Sequence, residues 1–273
     1  MEKLRIAGDV HNIRQTLPEQ PDTIAHMLFH SLDLNTIGAR FDAIASAVVS
    51  ASPANSMADP ERSPTMLRQA MHRLVELLRI LDKQASTSTD KAISNEELNE
   101  LGDHGINILA DFSAIAGHLE LAEQSRELED LTLPLALWLV RHRGQLRTLE
   151  PIVNALARLA NTFREPAQLQ QLYEVNLELL EAIQPDIKSD QRHDASSQPW
   201  RILLMNHAII ATRSHQPALI EQAYNTLTRY LPREAPDFFK QGMTQMDALN
   251  YPQQVREVVE KYYNLWSLPR TLH

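Results

Sequence analysis

The last quarter of the chain contains a duplicated apolar pattern that constrains the fold more than any other feature of the sequence. Pro217 and Pro252 stand 35 residues apart, and the apolar positions on both sides of Pro217 recur at the same interval. The matching pairs are Leu204 and Phe239, Ala208 and Met243, Ala211 and Met246, Ile220 and Val255, Ala223 and Val258, Tyr224 and Val259, Leu227 and Tyr262, and Leu231 and Trp266. Because a slip of one residue would put these positions out of phase, the agreement predicts two successive helix–turn–helix units. One hairpin cannot bury its apolar face alone, so the two units should stack and share a core.

Helical spacing continues through the rest of the chain. Ser94 and Glu97 have the spacing of a capping box, in which a hydroxyl and a carboxylate satisfy two backbone N–H groups at a helix start. Gly102 and Gly105 follow within the same helix, where they either weaken it or let another helix approach closely. Strand-favouring residues never gather into short alternating runs. The sequence therefore predicts an all-α fold of about twelve helices, arranged as stacked antiparallel hairpins in an α-solenoid or a helical bundle.

Polar segments rich in Ser, Asp and Pro divide the chain into three parts. Linkers are predicted at 85–93 and 185–199, where apolar periodicity stops. An N-terminal helical subdomain or cap is expected over 1–84, helical hairpins over 94–184, and the repeated hairpin pair over 200–266.

The repeated unit resembles a tetratricopeptide repeat, whose length is about 34 residues. The large, small, large, aromatic, apolar and terminating-proline positions of that family correspond to Leu204, Ala208, Ala211, Tyr224, Leu227 and Pro232, and four positions of the second unit agree through Phe239, Gly242, Val259 and Tyr262. Met243, Ile220 and Val255 depart from the family, which has small residues there. The resemblance covers 200–266, extends loosely over 100–184, and implies a tetratricopeptide-like protein that binds peptides or partner proteins on a concave face.

Composition bears on the class of partner. The net charge is -9, and basic residues are scattered among acidic ones, which disfavours nucleic acid as the main partner. The chain has no Cys, so disulfides, thiolate zinc sites and Cys nucleophiles are excluded together. Neither a secretory signal nor an apolar run of membrane-spanning length is recognised. The expectation is a cytoplasmic protein that needs no cofactor and does not interact with membranes.

Adjacent aromatic residues near the end of the repeat suggest a binding surface. Tyr262 and Tyr263 cannot both face the same helix packing, so one ring should lie near the surface. Aromatic side chains with a polar group are favoured at interfaces, which makes Tyr263 and Trp266 the preferred partner-binding residues. Polar helix positions that could line a groove are Arg141, Arg143, Asn176 and Arg213. The predicted function is a non-catalytic protein–protein interaction module, which acts either as an adaptor or scaffold for another protein or through self-association into a homo-oligomer.

An enzymatic alternative depends on the first predicted helix. Asp22, His26 and His30 stand at i, i+4 and i+8, so all three could line one helix face and bind a metal with carboxylates from other helices. This alternative is a metal-dependent helical enzyme centred on His26 and His30. A third possibility, a ligand-sensing regulator, requires an enclosed apolar pocket between the hairpins.

Overall fold

The protein is described by a computed structural model that covers residues 21–30, 32–52, 63–87, 94–189 and 198–267. Within these ranges every regular element is an α-helix, and the one β-bridge joins Leu146 to Ile183. The helices are α1 (Pro21–Phe29), α2 (Leu34–Ala51), α3 (Pro64–Thr87), α4 (Asn95–His118), α5 (Ala122–Asp130), α6 (Thr132–Arg141), α7 (Glu150–Thr162), α8 (Pro166–Glu181), α9 (Pro185–Ser189), α10 (Gln198–Arg213), α11 (Pro217–Tyr230), α12 (Ala235–Leu249) and α13 (Gln253–Trp266). The predicted all-α fold is confirmed.

Helix starts follow from local chemistry. The Asp33 carboxylate accepts hydrogen bonds from the backbone N–H groups of Asn35 and Thr36, at 2.8 and 2.9 Å, and so caps α2. The predicted capping box at α4 is confirmed: the Glu97 N–H donates to Ser94 Oγ, and the Ser94 N–H donates to Glu97 Oε2. Proline occupies the first turn of α7, α8, α11 and α12. Proline has no backbone N–H, and in the first turn of a helix that N–H would have no intrahelical acceptor in any case.

Glycines in α4 let two other helices approach closely. A β-carbon on Gly105 would lie 2.6 Å from Leu74 Cδ2 in α3, and one on Gly102 would lie 2.7 Å from Leu139 Cδ1 in α6. These separations are far shorter than a van der Waals contact, so α4 can pack this closely only with glycine at both positions. Of the two roles considered for these glycines, close helix approach is the one the structure shows.

The N-terminal helices share their core with the middle of the chain. α2 packs against α3, α5 and α6, α3 packs against α4, and α1 packs against α6. At the centre of this contact the rings of Phe41 and Phe112 meet edge to face at 5.4 Å. The buried apolar residues form one continuous cluster from Ile24 in α1 to Tyr262 in α13. Helices α1–α3 therefore form a layer against α4–α6 and continue the same core.

Two segment boundaries differ from the sequence prediction. The predicted linker 185–199 contains the short helix α9, whose Lys188 N–H donates to Gln184 O and whose Ile187 packs against the core. Helix α3 runs to Thr87, past the predicted start of the linker 85–93. Helix α9 depends on a core contact and a backbone bond that apolar periodicity does not reveal, and the exact ends of helices are the least determined part of a sequence pattern.

The duplicated pattern corresponds to two real hairpins. α10 packs on α11, α12 packs on α13, and α11 packs on α13, so the two hairpins stack. The paired apolar positions are buried in both units, except that Met243 and Trp266 are half-buried. α10 also packs on α7 and α8, which joins the hairpin pair to the middle of the molecule.

In the described part of the chain, no helix combines the length and the apolar character needed to cross a membrane.

Candidate functional site

An aromatic cluster holds the two stacked hairpins together. The ring of Tyr224 in α11 lies 4.9 Å from the ring of Phe239 in α12 and 5.1 Å from the ring of Tyr262 in α13. Buried hydroxyls need partners, and both tyrosines have one. The Tyr224 hydroxyl hydrogen-bonds Thr212 Oγ1 at 2.8 Å, and the Tyr262 hydroxyl donates to Asn225 Oδ1 at 2.7 Å. This cluster fixes the position of α13.

One side of α11 receives the next hairpin. Glu221 on this side accepts a hydrogen bond from Lys261 Nζ of α13 at 2.7 Å. Asn225, one turn further, accepts the hydrogen bond from Tyr262. Together with Thr228 these residues stand at i, i+4 and i+7, so they form one stripe along α11. The stripe marks the side of the unit on which stacking continues.

The corresponding stripe of α13 faces away from the preceding hairpin. By the 35-residue interval, Glu221, Asn225 and Thr228 correspond to Arg256, Glu260 and Tyr263.

The side chains of this α13 stripe differ in exposure. Arg256 is held within its own hairpin, since it donates to Asp247 Oδ1 at 2.7 Å and to the Met246 carbonyl at 2.8 Å. Glu260 is exposed and Tyr263 is half-buried. We call Arg256, Glu260 and Tyr263 the outer stripe. The outer stripe lies on α13, the last helix of the described chain. The equivalent side of α11, one unit earlier, is the side on which α13 packs.

The two preferred aromatic residues occupy different environments. Tyr262 is buried and Tyr263 is half-buried, as expected for adjacent residues on a packed helix. Trp266 continues the inward row of α13, because it corresponds to the buried Leu231 of α11 and packs against the core. Tyr263 also packs against the core with part of its ring, but its register places it in the outer stripe, whereas the register of Trp266 places it in the inward row.

Arg141 and Arg143 lie at the end of α6. Arg141 holds α6 to α8 through two parallel hydrogen bonds of 2.9 Å, from Nε and Nη2 to the two carboxylate oxygens of Glu178. This pair raises the pKa of Arg141. Arg143 adopts a left-handed backbone conformation, with φ of 68°, in the turn that ends α6. Its N–H donates to Val140 O and that of Gly144 donates to Leu139 O, the two bonds of a Schellman motif.

Arg213 and Asn176 are engaged inside the molecule. The Arg213 guanidinium donates to the carbonyls of Ala160 and Phe163 and so caps the C-terminus of α7. Asn176 in α8 is fully buried, and neither its Oδ1 nor its Nδ2 has a hydrogen-bond partner within the described chain. The structure thus pairs the exposed Arg141 with Glu178, uses Arg213 to cap α7 and buries Asn176, so the four polar residues do not line one accessible groove.

Asn176 belongs to a buried polar group between α8 and α10 whose other members, Tyr173 and His207, the sequence analysis did not single out. The rings of Tyr173 and His207 stack at 4.6 Å, with Asn176 one turn from Tyr173. All three side chains are buried, and neither imidazole nitrogen nor the Tyr173 hydroxyl has a partner in the described chain. Burial lowers the pKa of His207 to about 4. One sequence signal could have indicated this group: its polar residues stand at the inward positions of helices that are otherwise apolar on that face.

The residues of the metal hypothesis lie on α1. His26 and His30 are both exposed, and their ring centroids are 5.6 Å apart. The side chain of Asp22 lies outside the described part of the structure. Among the residues that the structure describes, no group of three or more His, Cys, Asp or Glu side chains is placed to hold a metal ion.

The relation of this chain to known proteins was tested in three ways. Comparison with protein-family models, with curated proteins and with solved structures finds no match in any of the three. The tetratricopeptide resemblance therefore depends on the duplicated pattern and on the two stacked hairpins that it predicts.

Proposed function

We propose that this protein is a non-catalytic, cytoplasmic interaction module with a tetratricopeptide-like helical repeat, and that it binds a helix of a partner protein against the outer stripe of α13. The main support is that α11 and α13 are equivalent, since each is the second helix of its hairpin. α11 holds α13, the second helix of the next hairpin, through Glu221 and Asn225. The corresponding side of α13 carries the exposed Glu260 and the half-buried Tyr263.

The chemistry of the outer stripe suits a protein partner. Tyr263 offers an aromatic ring and a hydroxyl, a combination that is enriched among the residues that dominate binding energy. Glu257 and Glu260 are exposed on the same helix, and the chain carries a net charge of -9. Basic groups on the partner helix would therefore match the stripe and speed association.

The proposal is tested by capturing partners from the native cell with three versions of the chain. Tyr263→Ala removes the aromatic contact, and Glu260→Lys reverses the charge beside it. Tyr230→Ala is the matched control, because Tyr230 is 39% exposed but lies on α11, with its ring against Trp200. We expect both outer-stripe variants to lose the captured protein, whereas Tyr230→Ala retains it. Each variant should keep the helical content and thermal midpoint of the parent chain within a few degrees.

Two results would count against this function. Capture of the same proteins by Tyr263→Ala and Glu260→Lys would remove the outer stripe from consideration. Loss of capture by Tyr230→Ala to the same extent would mean that the contact is not specific to α13. Light scattering of the purified chain distinguishes a second copy from a different protein, because self-association through the stripe would be concentration-dependent and sensitive to Tyr263→Ala.

A further inference from the structure

Arg79 in α3 differs from the other half-buried arginines of the described chain. Six of these seven arginines have an anionic or carbonyl partner: Arg40 with Glu127, Arg68 with Asp42, Arg158 with Glu129 and Asp130, Arg201 with Glu234, Arg213 with two carbonyls of α7, and Arg256 with Asp247. Arg79 has no hydrogen bond or ion pair with any residue that the structure describes, and its Nε is enclosed. A guanidinium held partly out of water without an acceptor is costly, so a ligand that supplies one recovers that cost.

The guanidinium of Arg79 stands where two open cavities meet. The larger, of about 500 Å³, runs between α2 and α3 and is lined by residues that include Gly38, Phe41 and Val75. The smaller, of about 290 Å³, reaches Trp138 at the end of α6. Arg79 and Asn35 line both cavities. We call the two adjoining cavities the Arg79 groove, and each is of the size that holds a short peptide segment or a small molecule.

A glycine opposite Arg79 makes room for its side chain. A β-carbon on Gly38 would lie 3.4 Å from Arg79 Nη2 and 3.1 Å from Val75 Cγ1. Any larger residue at position 38 would therefore crowd the guanidinium and narrow the groove between α2 and α3. Beside the guanidinium the wall is apolar, with Phe41 and Val75. The groove thus places the Arg79 guanidinium beside apolar side chains, and Lys83 adds a second cation in the smaller cavity.

The other charges of the groove define which anion fits. The Asp42 carboxylate is already paired, with Arg68 Nη2 at 2.6 Å and His72 Nε2 at 2.7 Å. Glu76 lines the same wall, one turn before Arg79. In the smaller cavity, Asp33 accepts hydrogen bonds from the N–H groups of Asn35 and Thr36, and the Asp82 carboxylate lies 3.1 Å from His142 Nε2. A doubly charged phosphate would face all four carboxylates, whereas a single carboxylate needs only the planar fork of one guanidinium. Arg141 and Glu178 show this pairing elsewhere in the same molecule.

We propose that the Arg79 groove binds an acidic side chain of a partner peptide, with the carboxylate on the Arg79 guanidinium and neighbouring apolar side chains on Phe41 and Val75. This inference rests on the proposed function, since it identifies the chemistry of one group on a protein partner. It concerns a surface of α2 and α3, whereas the outer stripe lies on α13 at the other end of the chain. The two surfaces can therefore be tested separately.

The test uses the full chain and an array of end-capped, fluorescein-labelled pentapeptides in which one glutamate stands among leucine and alanine. Binding is measured by fluorescence anisotropy. Arg79→Gln should weaken binding of the best peptide by at least about tenfold, because a charge-assisted hydrogen bond is lost. Arg73→Gln is the matched control, since Arg73 lies on the same helix, is exposed and carries the same charge. It should leave the affinity unchanged, and replacing the peptide glutamate by glutamine should reproduce the loss seen with Arg79→Gln.

Site-specific contact is read from the Nε–H resonance of Arg79 in NMR spectra, which should shift as the peptide is added. The inference is overturned if no peptide of the array binds the parent chain, if Arg79→Gln binds as well as the parent, or if Arg73→Gln causes the same loss. If free acetate bound as tightly as the peptide, the proposal that the groove recognises a peptide would be overturned. If the peptide test failed while the outer stripe still captured its partner, the groove proposal alone would be refuted. If peptides bound the groove while the stripe variants captured the same proteins as the parent, the stripe proposal alone would be refuted.

Discussion

At the residue scale, the buried imidazole of His207 makes stability depend on pH. Burial lowers the pKa of His207 from 6.5 to about 4, because its ring lies against Tyr173 away from water. Above pH 6.5 the histidine is neutral in both states. As the pH falls from there towards 4, the unfolded chain binds a proton that the folded chain does not, so the free energy of unfolding decreases. Between about pH 6.5 and about pH 5 we expect a loss of about 2 kcal/mol, measured by chemical denaturation.

The matching control replaces the imidazole by a ring of similar shape that cannot be protonated. His207→Phe keeps the stack on Tyr173 and removes the two ring nitrogens that have no described partner. This variant should be at least as stable as the parent near neutral pH and should lose about 2 kcal/mol less on acidification. Parallel pH curves for the two proteins would show that His207 is not the group responsible.

Single residues also show where sequence reasoning stops. The division of Tyr262 and Tyr263 between core and surface follows from helical periodicity, so it was predictable. The internal partners of Arg141 and Arg213 lie 37 and 50 or more residues away, on helices whose packing no local pattern reveals. Arg143 takes a left-handed conformation that usually belongs to glycine, and the sequence has a glycine one residue later, at Gly144. Gly144 is needed for a different reason, because a β-carbon there would lie 3.0 Å from the Leu139 carbonyl.

At the element scale, Gly105 determines how closely α4 can pack. A β-carbon there would lie 2.6 Å from Leu74 of α3 and 3.0 Å from Leu135 of α6, and both leucines are buried. Gly105→Ala should lower the free energy of unfolding by about 1–3 kcal/mol, although alanine is the better helix former, because two packed helices would have to move. Chemical denaturation at constant slope measures this loss.

Gly117 provides the control on the same helix. It is exposed near the end of α4, and its added β-carbon would meet only Ser125 Oγ at 3.7 Å, an ordinary contact. Gly117→Ala should therefore raise the free energy of unfolding by about 0.5–1 kcal/mol through helix propensity. A stabilising Gly105→Ala would contradict the close approach of α3 and α6 to α4.

Elements were more predictable than their connections. The capping box at Ser94 and the four helices of the duplicated hairpins follow from spacing alone, because caps and amphipathic stripes are local features. Helix α9 and the Arg79 groove were not predicted. Both depend on contacts between distant segments, and an unpaired arginine looks like any other surface arginine in the sequence. The outer stripe of α13 was partly predictable: the repeat predicts its position, and the structure shows which residues it contains.

At the scale of the whole molecule, the two ends of the chain contribute differently to the core. Helices α1–α3 cover α4, α5 and α6 and bury residues such as Phe41 against Phe112. The terminal hairpin packs chiefly on itself and on α11. A stack of hairpins depends on nearest-neighbour contacts, so removing an end unit costs less than removing a layer that several helices share. Folding should therefore tolerate loss of the last hairpin better than loss of the first three helices.

Two truncations test this asymmetry and connect it to function. A chain of residues 1–234 should remain helical and unfold cooperatively, with a lower thermal midpoint because Tyr224 loses Phe239 and Tyr262. A chain of residues 94–273 should aggregate or lose cooperative unfolding, because the faces of α4 and α6 around Phe112 and Leu135 would be exposed. Circular dichroism and size-exclusion chromatography compare the two. If 94–273 proved the better folded chain, the shared core of α1–α6 would not be the main source of stability. Because 1–234 lacks the outer stripe but retains the Arg79 groove, it should also lose capture of the helical partner while still binding the acidic peptide.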